Sequence, residues 1–329
     1  MIRDELLKQT EEILSILSDF PDSPARKVQE AMRYTLLGGG KRIRPVLLGL
    51  TALSLGCDGK ELAPFMAAIE IIHSASLVHD DLPALDNDSL RRGRPTVHVA
   101  YGEDAAILAG DALINLAYET LLTACRTEAE ELTKDPSAPV NGKALVNGAA
   151  PMEGSSAKGE MLCRKVRAAS ILAKAGGITG MLGGQSADVV LSGRKLSEEE
   201  RDYIYLNKTG ALIMAPMEAG AVLAGAPEEA VRLSREAGRN IGLAFQVQDD
   251  ILDVTGDEQS LGKEAGQDER NDKSTYVSAY GLEEAARFVE EKTRAALDAL
   301  ESMRGLADVK EEAFSELKEL AASLAGRKA

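Results

Sequence analysis

The chain has 329 residues, 44% hydrophobic but only 4% aromatic, with no Trp and a formal charge of −15. That charge argues against nucleic acid or an anionic membrane surface as the main partner, and a composition dominated by Ala, Leu, Glu and Lys favours helices over strands. Cys57, Cys125 and Cys163 have no metal-ligand spacing and read as reduced thiols, and the charged N-terminal segment lacks a signal-peptide core, so a cytoplasmic protein is expected.

Helical patterns recur along the chain, separated by turn signals. Residues 4–18 read as an amphipathic helix ending near Asp19-Phe20-Pro21, and a second helix runs to about Leu37, where Gly38-Gly39-Gly40 stops it. Pro45 suits the first turn of a third helix through Leu55. Residues 62–81 form a long apolar helix on which Ile69, Ile72, His73, Ser76 and Asp80 share one stripe. Residues 103–126 and 162–183 read as buried helices. Between them, 128–160 carries Pro136, Pro139 and Pro151 among several glycines and reads as a flexible insertion. Further helices are expected over 197–224, 227–254 and 282–325. No stretch approaches the roughly 18 apolar residues of a membrane span, so no stable membrane insertion is expected, and no alternating strand pattern of useful length is present. The expected fold is an all-α, single-domain helical bundle over 1–329.

Two aspartate clusters stand about half a chain apart: Asp80-Asp81-Leu82-Pro83-Ala84-Leu85-Asp86 and Asp249-Asp250-Ile251-Leu252-Asp253. Carboxylates so crowded repel one another unless a cation binds between them. Mg²⁺, a hard ion that shares its coordination with phosphates, is the natural candidate. Pro83 ends the first helix just after Asp81, so Asp86 reaches back from a loop. In the second cluster Gln246, Asp249, Asp250 and Asp253 fall at i, i+3, i+4 and i+7, one face of a helix with apolar neighbours. Buried carboxylates of that kind need a partner or a metal.

Cations concentrate nearby in this acidic chain. Gly38-Gly39-Gly40-Lys41-Arg42-Ile43-Arg44-Pro45 offers three cations and a helix start, both of which favour a diphosphate. Arg91-Arg92-Gly93 follows the first Asp cluster closely, and Lys208-Thr209-Gly210 interrupts an otherwise apolar helix, where a buried Lys requires an anionic partner. His73 lies two turns before Asp80 on its stripe, either as a core histidine or as an anion contact.

These motifs closely resemble those of the all-trans polyprenyl diphosphate synthases, the farnesyl and geranylgeranyl diphosphate synthase family. The matching segments are GGGKRIRP at 38–45, HSASLVHDDLPALDNDSLRRGRPT at 73–96, GGQSADV at 183–189, NKTGALI at 207–213, FQVQDDILDVTGD at 245–257 and LGKEAGQDERNDKSTY at 261–276. They occur in family order and span nearly the whole chain apart from 128–160. The resemblance implies a homodimer of isoprenoid synthase-like, all-α subunits, each around a deep central cavity. It also implies a prenyltransferase that condenses isopentenyl diphosphate with an allylic diphosphate (dimethylallyl, geranyl or farnesyl) into farnesyl or geranylgeranyl diphosphate. By that resemblance Asp80, Asp81, Asp86, Asp249 and Asp253 hold three Mg²⁺ ions, two at the first motif and one at the second. Arg91, Lys208 and Lys263 would bind the allylic diphosphate; Lys41, Arg44, His73 and Arg92 would bind isopentenyl diphosphate; Thr209 and Gln246 would face the developing allylic cation.

Bulky aromatics four or five residues before the first Asp often stop chain growth early in this family. Here those positions are Ser76 and Ala75, which implies growth past farnesyl unless Ile71, Ile72 or a facing helix closes the tunnel. Val277 departs from the family, which often has Pro there. A class I terpene cyclase would usually carry an Asn/Ser/Glu triad in place of the second DDxxD. A catalytically silent subunit of a heteromeric synthase would be expected to lose Asp or Arg ligands. Neither pattern matches this chain.

Overall fold

The computed structural model describes residues 1–133, 157–255 and 275–325. In chain order the helices are α1 (Ile2–Leu17), α2 (Arg26–Leu36), α3 (Ile43–Ser54), α4 (Ala63–Asp80), α5 (Val97–Tyr101), α6 (Glu103–Thr133), α7 (Ala157–Gly176), α8 (Met181–Val190) and α9 (Glu198–Ile204). A π-helical turn, Tyr205–Gly210, follows, then α10 (Ala211–Ala224), α11 (Glu228–Thr255), α12 (Tyr276–Tyr280), α13 (Leu282–Arg304) and α14 (Glu311–Ala325). The architecture is all-α, as expected.

Helices α3, α4 and α10 are apolar nearly all round. Their side chains are buried along almost the whole length, the signature of helices at the centre of a bundle. The amphipathic helices pack around them: α6 against α4, α11 and α7 against α10, α14 against α3, and α13 along α11. Pro216 inside α10 is tolerated within this fully buried packing.

A buried ion cluster fixes the chain between α2 and α3. Arg42 takes a left-handed backbone, φ 44°, and is almost wholly buried. Its guanidinium donates to Glu11 Oε1 at 2.7 Å, Glu70 Oε1 at 2.9 Å and the Leu36 carbonyl at 2.6 Å. Left-handed geometry at a non-glycine residue costs on the order of 1 kcal/mol, and these charge-assisted bonds offset it. Turning Arg42 inward leaves its neighbours Lys41 and Arg44 on the wall of the central cavity.

Several boundaries differ from the sequence expectation. The helix expected over 162–183 breaks: α7 stops at Gly176 and α8 starts at Met181, since any Cβ on Gly180 would collide with the Ala175 backbone. The helix expected over 282–325 is two, split after Arg304, with the Lys310 N–H bonded to the Ser54 carbonyl at 2.9 Å. Residues 128–133 continue α6 and 157–160 open α7, so the expected insertion is narrower at both ends, and its middle lies outside the described residues. A two-residue ladder also appears, β1 (Leu90–Arg91) with β2 (Arg94–Pro95), closed by Arg92 and Gly93 at φ 54° and 71°. Two positive φ values are the pattern of a tight type I′ hairpin, too short to show as strand periodicity. Finally, α6 is by length and composition apolar enough to cross a bilayer, contrary to the expectation that no stretch approaches this; here it packs against α2, α4 and α7 within the bundle.

The Arg42 cluster makes a direct prediction. Glu70→Ala leaves a buried guanidinium short of one carboxylate, and is expected to destabilise the fold by about 3 kcal/mol. Urea unfolding measures this; a loss below about 1 kcal/mol would show that Glu11 alone balances the charge.

Candidate active site

The first Asp motif starts where α4 stops. After Asp80 the chain doubles back: the Asp86 N–H donates to the Asp80 carbonyl at 2.9 Å and the Asn87 N–H to the Leu82 carbonyl at 3.1 Å. Asp86 therefore lies beside Asp80, as the position of Pro83 predicts. The second motif occupies the end of α11. Both motifs thus lie at helix C-termini, where the helix dipole already concentrates negative charge.

Between them opens a cavity of about 1010 Å³. Asp80 lines it from α4 and Asp249 from α11, with Lys208 and Thr209 from the π-turn and Gln185 from α8. Lys41, Arg44, His73 and Arg92 form a second group on the same wall system. The Arg92 guanidinium donates to the Gly39 carbonyl and lies over Gly40, whose φ of 136° disfavours any side chain. This contact docks the 90–95 hairpin onto the glycine-rich turn and gathers cations separated by about fifty residues. Beneath the polar mouth the lining turns apolar, with Leu77, Ile107, Ile114, Met181, Leu212 and Phe245.

Other expected residues sit elsewhere. Asp81 is buried outside the cavity and paired with Arg91, whose Nε donates to Asp81 Oδ1 at 3.0 Å; Asp88 completes the group. Asp253 is buried one turn beyond Asp249 without lining the cavity. Gln246 stands behind Thr209, whose hydroxyl donates to Gln246 Oε1 at 2.6 Å. The second motif does not present one face: Asp249 meets the cavity, while Asp250 turns toward Tyr205 and the Tyr276 backbone. Ala75 is fully buried off the cavity, and Ser76 is the small residue that lines it. Lys263 lies outside the described residues.

Close helix contacts aim these groups. A Cβ on Gly184 would collide with the Lys208 backbone, and one on Gly242 would press on Gly210. Only glycine lets α8 and α11 clasp the π-turn, a local widening common at functional sites. Lys208 Nζ meets Asp188 at 2.5 Å. Sequence reasoning missed Asp188, three residues after Gln185 in the GGQSADV segment, and also Tyr205 and Tyr276, which bear no chemistry-specific pattern.

Charge at the site is strained. Burial raises the Asp80 carboxyl to about 6, with Asp86 and Asp81 adding to the rise while Lys208 and Arg91 oppose it. Burial, reinforced by Arg44 and Arg92, pushes the His73 imidazole well below its usual value, so it is neutral among guanidiniums. Among the described residues no three acidic, His or Cys groups converge into a ready cage for a metal. That fits Mg²⁺, which takes one or two carboxylates and completes its shell with water and phosphate oxygens. Asp80 and Asp249 line the same cavity, and a cation beside Asp80 would relieve the rise in its carboxyl pKa.

The polyprenyl synthetase family model matches residues 25–317. A farnesyl diphosphate synthase of Geobacillus stearothermophilus is 38% identical over 320 residues, 97% of this chain and 96% of that one. The large subunit 1 of a heterodimeric geranylgeranyl pyrophosphate synthase of Arabidopsis thaliana is 42% identical over 277 residues, 83% of this chain and 67% of its own length. Among solved structures, an FPP/GFPP synthase from Zymomonas mobilis superposes with a TM-score of 0.76 at 31% identity, covering 98% of this chain and 96% of that one. A Helicobacter pylori geranyltransferase, solved with magnesium and isoprenyl diphosphate, gives 0.74 at 29% identity, covering 98% and 95%.

Because the carboxyl of Asp80 is raised in the folded state, stability is lost as pH rises from about 4 to about 6, and the loss is complete above that. Asp80→Asn is therefore expected to stabilise the metal-free protein by roughly 3 kcal/mol at pH 8. The gain should shrink as pH falls below 6 and vanish below about 4. Thermal midpoints across pH test this; a pH-independent gain would contradict the electrostatic origin.

Proposed function

This chain belongs to the polyprenyl synthetase family and is a short-chain trans-prenyltransferase, and we propose that its cavity holds two diphosphates on unlike supports. The observation that carries the proposal is the mixed lining: Asp80, Asp249 and Lys208 share the cavity with Lys41, Arg44, His73 and Arg92, with Lys208 acting on the Asp80 carboxyl and Arg44 and Arg92 acting on His73. The allylic diphosphate would lie on the carboxylate side, with Mg²⁺ shared between it and Asp80, Asp86 and Asp249. Asp81 and Asp253 would support those ligands from behind. Three ions per site, two at the first motif and one at the second, is the reading. Lys208 would reach the same diphosphate by leaving Asp188, and Arg91 by leaving Asp81. Isopentenyl diphosphate would take the metal-free cationic side, where bidentate guanidiniums suit phosphate oxygens.

Bound Mg²⁺ supplies charge for the leaving diphosphate. The protein's own groups do the rest. Lys208 adds a cation that gains most as carbon–oxygen cleavage builds charge. The apolar wall of Leu77, Ile107, Ile114 and Phe245 keeps water from the allylic cation. The isopentenyl double bond attacks that cation's C1, and the proton then lost from the adduct goes to the released diphosphate, so no protein base is required. Ser76 leaves space along the wall below Asp80, which supports growth past farnesyl to geranylgeranyl. Exposed apolar side chains on α5–α6, including Val99, Leu108 and Leu122, support a homodimer, and the three free cysteines support a cytoplasmic location.

Supplied with isopentenyl diphosphate, geranyl diphosphate and Mg²⁺, the protein is expected to release diphosphate and yield geranylgeranyl diphosphate by chromatography, and Ser76→Phe to stop at farnesyl. Diphosphate release without isopentenyl diphosphate, with a cyclic hydrocarbon as product, would instead identify a cyclase. Farnesyl as the end product of both forms would overturn the chain-length reading.

A further inference from the structure

Asp250 is the carboxylate of the second motif that binds away from the cavity, and it is 2% exposed. Its Oδ2 accepts the Tyr276 backbone N–H at 3.0 Å and the Tyr205 hydroxyl, while Oδ1 accepts Gln246 Nε2 at 3.1 Å. The Tyr276 N–H also reaches the Tyr205 oxygen at 2.9 Å, so that hydroxyl must spend its own hydrogen on Asp250.

A carboxylate only accepts, so the end of the Gln246 amide that faces it is the NH₂. The opposite end, Oε1, lies 2.6 Å from Thr209 Oγ1. An amide oxygen also only accepts, so Thr209 must point its single hydrogen at Gln246. What remains of the hydroxyl on the cavity side is its lone pairs, and of these three residues only Thr209 lines the main cavity.

Resting on the prenyl-transfer reading, we propose that Asp250 is a positioning residue that, through the Gln246 amide, locks the Thr209 hydroxyl with its negative end toward the allylic cation. Within a water-poor cavity a dipole fixed before the reaction needs no reorganisation as charge develops, and its direction decides whether it helps or hinders. Adjacent aspartates thus divide the work: Asp249 faces the diphosphate, and Asp250 orders the wall beside the reacting carbon.

Asp250→Asn preserves shape and tests the direction alone. Among the described residues two donors converge on the Oδ2 position, so the oxygen of the new amide takes that place and its NH₂ faces Gln246. Gln246 then turns its own amide over, and Thr209 receives an N–H and swings its hydrogen toward the cavity. The expected result is a roughly ten- to hundredfold fall in kcat, with KM for both diphosphates and the Mg²⁺ requirement within about twofold of wild type. Adding Gln246→Glu to Asp250→Asn restores an acceptor toward both the new amide and Thr209, and should recover most of the loss. In a Thr209→Val background Asp250→Asn should cost less than about a further twofold. A wild-type kcat for Asp250→Asn, an equal loss in the Thr209→Val background, or a loss cured by more Mg²⁺ would each overturn the assignment. Should Asp250→Asn fail to fold, Gln246→Met releases the Thr209 hydroxyl from its acceptor and must still lower kcat; an unchanged kcat overturns the proposal. A wild-type chain that extends no allylic diphosphate would instead overturn the functional reading itself.

Discussion

Negative charge at the mouth of this bundle is placed where the backbone is already negative. The first motif begins at the last residue of α4, and Asp253 lies in the last turn of α11, so each meets the unfavourable end of a helix dipole. Burial adds to the cost at Asp80. The folded chain offsets part of that cost internally: Arg91 pairs with Asp81, and Lys208 pairs with Asp188 at the opposite wall. Each of these two cations is thus held by a carboxylate of the folded chain.

The same constraint explains why the supporting backbone is so closely packed. Cations and carboxylates from several segments must approach one point, and side chains of ordinary size would hold those segments apart. Gly184 against Lys208, Gly242 against Gly210 and Gly40 beneath Arg92 remove the obstacles at three of the joints. At the fourth, Arg42 serves the opposite purpose. Its buried guanidinium ties α1, α2 and α4 together, and its left-handed backbone delivers Lys41 and Arg44 to the cavity. One cation of the KRIR run is structural so that its neighbours can bind.

Most of the fold and much of the site could be read from residue order. Helical period, the glycine run at 38–40 and Pro83 placed α4, its end and the return of Asp86 correctly. Cation clusters predicted local anion sites, and Lys41, Arg44, His73 and Arg92 line one cavity. The misses have a common cause. Spacing along a helix fixes relative angle, not which neighbour each face meets. Asp249 and Asp250 satisfy the same i+3, i+4 pattern from Gln246, yet about 100° of helix rotation separates them, and the neighbour at α12 claims Asp250. Likewise Asp81 and Arg91 follow the same motif as Asp80 in sequence, yet they pair with each other off the main cavity. The split of 282–325 at Gly305 depends on a contact from Lys310 to the end of α3, far outside any local sequence window.

These constraints meet at the π-turn. What the distortion accompanies is a pair of consecutive residues with different tasks: Lys208 reaching both the cavity and Asp188, and Thr209 reaching the cavity while bonded to Gln246. Gly210 at the end of the turn gives α11 room to press close enough for Gln246 to hold Thr209. The polar pair Lys208 and Thr209 thus sits on a local fault in an apolar helix, packed against α8, α9, α10 and α11.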